Sequence, residues 1–73
     1  MKTLNQLATG QIAQITHIDA TNQTAQRLMA MGVLPGSTVE IVQVAPLGDP
    51  MNISIAGRRL SLRKADAQCI QIK

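Results

Sequence analysis

Apolar and polar positions follow two periods along this chain, and one segment with the helical period joins the stretches that alternate. Ala25, Leu28, Met29 and Gly32 stand at i, i+3, i+4 and i+7, so they share one face of a helix. Arg27 lies on nearly the opposite side, with Met31 one turn beyond it. Thr21 or Asn22 supplies the N-cap, and Gly32 stands where a helix C-terminus favours positive φ. Leu34-Pro35-Gly36-Ser37 then suits a tight turn, in which Pro35 fixes one φ and Gly36 supplies a positive one.

The rest of the chain reads as strand and turn. Leu4 and Leu7 belong to a one-turn start that ends at Gly10. Gln11 to Asp19 follows as a strand marked by Ile12, Ile15 and Ile18, a spacing of three that predicts a bulge or a strong twist. Thr38 to Val44 carries Val39 and Ile41 on one face and Val42 and Val44 on the other, which predicts a bent strand shared between two sides of a closed sheet. Ala45-Pro46-Leu47-Gly48-Asp49-Pro50 is a loop, because two prolines leave the ladder without donors. Met51, Ile53 and Ile55 alternate with polar or small residues. A turn at Gly57-Arg58 would pair Ile55 with Leu60 and Ile53 with Leu62. Arg63 to Ala67 suggests one helical turn, and Cys69 to Ile72 a closing strand. The expected fold is mainly β: one domain over residues 1–73, a small five-stranded barrel with a short α-helix inserted after the first strand.

Composition narrows the chemistry. No Phe, Trp or Tyr is present, so Ile, Leu, Val, Met and Ala must fill the core. The same absence removes the stacking platforms of nucleic-acid barrels and the aromatic grooves that read proline-rich peptides. Arg58, Arg59, Arg63 and Lys64 therefore read as a solvated rim, and no nucleic-acid partner is expected. No apolar run reaches the roughly 18 residues of a membrane span, and no signal-peptide pattern opens the chain. A single cysteine fits a reducing cytoplasm, and no direct membrane insertion is expected.

His17 and Cys69 have no metal-ligand spacing, and no nucleophile has a recognisable base. Neither catalysis nor a cofactor is expected. Two features remain as candidate contact sites. The Ala45–Pro50 loop either presents Pro46 and Leu47 as a stiff apolar tip or folds Leu47 back over the barrel end. Arg27 beside Met31 is either a partner-facing anchor or an ordinary solvated arginine.

Arg27-Leu28-Met29-Ala30-Met31-Gly32-Val33-Leu34-Pro35-Gly36, with Ala45-Pro46-Leu47-Gly48-Asp49-Pro50 after it, closely resembles the ferrous iron transport protein A (FeoA) family. Leu62-Arg63-Lys64 with Ala67 resembles that family's LRK-x-x-A segment, and Leu7 to Ile15 its approach to the first strand. The resemblance covers essentially the whole chain. It implies an SH3-like barrel in the cytoplasm that assists FeoB, a membrane ferrous iron transporter with a cytosolic GTP-binding domain. A further small accessory protein is a second implied partner. Carried over by position, the partner-binding surface is Arg27, Met31, Pro46, Leu47, Gly48 and Asp49, with Gly32, Pro35, Gly36 and Gly57 as turn residues. Alternatives are activation of the transporter's GTP hydrolysis by Arg27 acting as an arginine finger, and ferrous iron sensing through Cys69, His17 or carboxylates.

Overall fold

The alternating stretches form strands and the helical one forms a helix. The computed structural model describes residues 2–73. In chain order the elements are β1 (Lys2–Thr3), a 3-10 turn (Leu4–Gln6), β2 (Ile12–Ile18), α1 (Gln23–Ala30), β3 (Thr38–Val44), β4 (Met51–Ile55), β5 (Arg58–Leu62), α2 (Lys64–Ala67) and β6 (Ile70–Ile72). The strands lie in the order β1-β6-β2-β3-β4-β5, and every neighbouring pair is antiparallel. Six strands replace the expected five, because Lys2–Thr3 pairs with Ile72 and Gln71. Two residues are too few to carry a period, so only pairing reveals them. The helix thus follows the second strand.

The bulge expected in the first long strand lies at Thr16, between the Ile15 and His17 pairings with β6. The bulge keeps Ile15 and Ile18 together in the core with Ala13, while Ile12, 63% exposed, lies on the other face, so the three isoleucines do not share a side. The strand shared between two sides is β2, not β3: Ile12–Gln14 pair with β3, and from Ile15 onward β2 pairs with β6. The phase shift in β3 is itself a bulge at Val42, after which Val44 is half-buried.

Between β4 and β5 the turn is Ala56-Gly57 rather than Gly57-Arg58. Ile55 pairs with Arg58, Ile53 with Leu60 and Met51 with Leu62. A two-residue hairpin turn of this hand needs positive φ at both central positions. Gly57 adopts +77° freely and Ala56 takes +52°, which leaves Arg58 extended at the start of β5. The pairing differs by two residues from the expected one, so every side chain keeps its face.

Helix α1 is capped at both ends. The Asn22 side chain accepts from Thr24 N–H at 2.8 Å and Ala25 N–H at 3.3 Å. At the C-terminus Gly32 N–H donates to Met29 O at 3.1 Å and Val33 N–H to Leu28 O at 3.0 Å, with Gly32 at φ +97°. This double closure satisfies two carbonyls that the helix leaves open, and Leu28 and Val33 are both buried behind it. Ser37 N–H then closes the Leu34-Pro35-Gly36 turn on Leu34 O at 3.1 Å. The core is wholly aliphatic with methionine. Leu4, Val33, Val39, Ile41, Ile53 and Ile70 are fully buried, and no polar side chain is buried among the described residues.

A Cβ at Gly32 would meet nothing within 4 Å, so Gly32→Ala carries a purely conformational cost. It should lower unfolding stability by about 1–2 kcal/mol in urea titration, with an unchanged m-value. Just before α1, Asp19 accepts from the Thr21 hydroxyl at 2.6 Å and the Thr21 N–H at 3.1 Å, and these bonds hold its carboxyl below the ordinary 3.8. A depressed folded-state pKa gives stability that is present above the unfolded value and lost as pH falls through the folded one. The melting-temperature gap between the wild type and Asp19→Asn should therefore shrink as pH falls below about 4.

Candidate functional site

The candidate residues belong to two elements that both lie near α2: Asp49 of the loop bonds to its first residue, and Asp66 lines a groove with Arg27 and Met31. On α1 the apolar face turns inward through Ala25 and Leu28, and Met29 packs half-buried against the core. Helical pitch then sends Arg27 and Met31 outward: Arg27 is exposed, and Met31 is 38% exposed. Both line a groove of about 400 Å³ between α1 and the end of β5. Thr24 and Leu28 complete the helix side, and Ser61, Leu62, Arg63 and Asp66 form the opposite wall. Arg27 therefore shares its groove with a second guanidinium and one carboxylate.

The Ala45–Pro50 loop is fixed by its own backbone. Gly48 N–H donates to Ala45 O at 2.7 Å, and Ala45 N–H to Pro50 O at 3.1 Å. Pro46 and Leu47 form the exposed tip, and Leu47 is 94% exposed. Of the two readings weighed for this loop, the outward one holds: Leu47 does not cover the barrel end.

Asp49 has a structural task that its sequence position does not announce. Its carboxylate accepts the Lys64 backbone N–H at 2.9 Å. Arg63, the N-cap of α2, makes no side-chain cap of its own, so Asp49 supplies that acceptor from a loop 15 residues earlier. A Cβ built on Gly48 would lie 3.9 Å from Lys64 Nζ, which places the lysine side chain against the same loop. Arg63 and Asp66 line the α1 groove while Lys64, between them in the chain, holds the loop. Arg63 and Lys64 are exposed, as the solvated-rim reading expects, but Arg63 also lines the groove, with Ser61 and Asp66, which the sequence does not single out. No local signal identifies these residues, because only the tertiary fold brings them to the groove that Arg27 lines.

The turn residues Gly32, Pro35, Gly36 and Gly57 sit in the turns described above. The possible metal ligands fare differently. Among the described residues, no three His, Cys, Asp or Glu side chains come close enough together to hold an ion. Burial, with Asp19 and Asp66 nearby, pushes the Cys69 thiol up from its ordinary range. Asn22 Nδ2 also donates to its sulfur at 3.1 Å. A thiol held protonated is a poor nucleophile and a poor metal ligand. Among the described residues no helix is long and apolar enough to cross a membrane.

Known proteins place this architecture. A fusion of Fe(2+) transport protein A with the Fe(2+) transporter FeoB, from Porphyromonas gingivalis, is 36% identical over 70 residues; these are 96% of this chain and 8% of the fusion protein. The solution structure of iron(II) transport protein A from Clostridium thermocellum superposes with a TM-score of 0.90 at 39% identity, covering 99% of this chain and 44% of that one. The zinc complex of FeoA from Stenotrophomonas maltophilia, described as a procaryotic SH3 domain protein, gives 0.88 at 25% identity over 100% of this chain and 91% of that one. The fold is accordingly mainly β and SH3-like. The FeoA domain model matches residues 2–73, and the chain belongs to the FeoA family, which is linked to ferrous iron transport.

Proposed function

We propose that this chain is a non-catalytic accessory domain that docks on the cytosolic part of a FeoB-type ferrous iron transporter. The observation that carries the reading is Leu47, 94% exposed at the tip of a loop tied down at both ends and along one side. A large apolar side chain that is already held in place loses little conformational entropy when a partner covers it. Full burial of Leu47 would contribute roughly 1.5–3 kcal/mol before ordering costs. Met31 adds a second apolar contact, and Arg27 a charged fork that orients the partner. The relative in which the two proteins form one chain supports an association between them.

Asp49 has an indirect part in this reading. It holds the loop against α2, and α2 in turn walls the groove that contains Arg27 and Met31. Loop tip and helix face then act as one surface with a fixed spacing. Activation of nucleotide hydrolysis by Arg27 gains no support of its own, since that arginine faces a groove shared with Arg63 and Asp66.

The test is Leu47→Asp. The substitution lies at an exposed tip, so the melting temperature should stay within a few degrees of wild type, the shift expected for about 0.5 kcal/mol. Retention of detergent-solubilised transporter on the immobilised protein should fall about tenfold or more, the equivalent of about 1.4 kcal/mol. Ferrous iron uptake in cells carrying the variant should fall with it. Wild-type retention and uptake by the folded variant would refute loop docking.

A further inference from the structure

The sheet ends on an unpaired strand. In the order β1-β6-β2-β3-β4-β5, the strand β5 has β4 on one side and no strand on the other among the described residues. The two-residue turn closes on the Ile55–Arg58 pair, which makes that pair hydrogen-bonded and sets the alternation along the ladder. Leu60 and Leu62 therefore direct their backbone groups toward β4. Arg59 and Ser61, opposite Ser54 and Asn52, direct theirs outward.

That edge borders the α1 groove, whose β5 wall begins at Ser61 and continues through Leu62 and Arg63. Side chains on the inner face of β5 are apolar there, and Leu60 is only half-buried against the core. Across the groove stands Met31. On the outer face and at the two ends of the strand the charges are positive: Arg58, Arg59 and Arg63 are all exposed, and Arg27 looks in from α1.

We propose that the free edge of β5 takes an extended segment of the docking partner as an added strand, paired to the backbone of Arg59 and Ser61, with apolar side chains alternating with acidic ones. The inference rests on the docking reading above and deepens it. An added strand alternates its side chains between the two faces of the sheet. Its side chains on the groove side would lie against Leu62 and Met31, and its outward ones beside Arg59. Four guanidinium groups around one edge call for carboxylates. The same charges select against a second copy of this chain, because two β5 edges placed side by side would bring arginines together.

The experiment compares Ser61→Pro with Ser61→Ala, using detergent-solubilised cognate FeoB-type transporter as the probe. Proline removes the outward N–H and leaves the bonds to β4 intact, a position at which edge strands accept it. Alanine removes only the hydroxyl. Binding should weaken about tenfold or more in Ser61→Pro and stay within about twofold in Ser61→Ala. In the wild-type complex, amide exchange at Arg59 and Ser61 should slow by about tenfold or more, a readout that holds even if the proline variant does not fold. Binding with unchanged exchange at both amides, or equal losses in the two variants, overturns strand addition and leaves docking standing. Slowed exchange that depends on protein concentration without transporter assigns the edge to a second copy and likewise overturns it. No binding by the wild type removes the docking reading and this inference together.

Discussion

Both backbone groups of Ile15 are bonded to the turn that leaves the helix, and the geometry of the molecule hangs on that pairing. Its N–H donates to Ser37 O at 2.9 Å, and its carbonyl accepts from Gly36 N–H at 2.7 Å. Ile15 is also the residue at which β2 passes from β3 to β6. The end of α1 is thus fastened where the sheet bends, and the Ile15 side chain is buried beneath the same point. A shift of one residue on either side would expose the aliphatic face of β2, so burial enforces the register that the hydrogen bonds describe.

From that fastening the exposed features follow. The helix buries Ala25 and Leu28, which leaves Arg27 and Met31 no direction but outward. The groove they line is bounded by β5 and α2 because the chain turns from the last residue of β5 directly into that short helix. Four residues make a helix too short to stand without outside help, and Asp49 provides it across the fold. One carboxylate therefore links the loop with the apolar tip to the wall of the groove.

The distribution of polarity sharpens the contrast between inside and outside. The core has no polar side chain among the described residues, so it specifies the fold by shape and period alone. Charge gathers instead at the β5 edge, with Arg27 alone on the outer side of α1, where it does not disturb the core. Burial, with Asp19 and Asp66 nearby, raises the pKa of the single thiol, Cys69.

The chain itself declared most of the scaffold. The helical spacing of Ala25, Leu28, Met29 and Gly32, the alternation of Met51, Ile53 and Ile55, and the glycine that ends α1 are local properties, and local sterics and burial suffice to read them. The loop tip is different: the sequence leaves Leu47 free to point outward or fold back over the barrel end, and only the folded chain sets it outward. The placement of the β4–β5 turn was one residue out because the strain accepted at Ala56 depends on the strand pairing around it. Only the folded molecule decided that Lys2–Thr3 pairs, that Asp49 caps α2, and that Ser61, Arg63 and Asp66 face Arg27. These are contacts between residues far apart in sequence. They leave no period behind, since a single hydrogen bond or one shared groove constrains position in space without constraining neighbours along the chain.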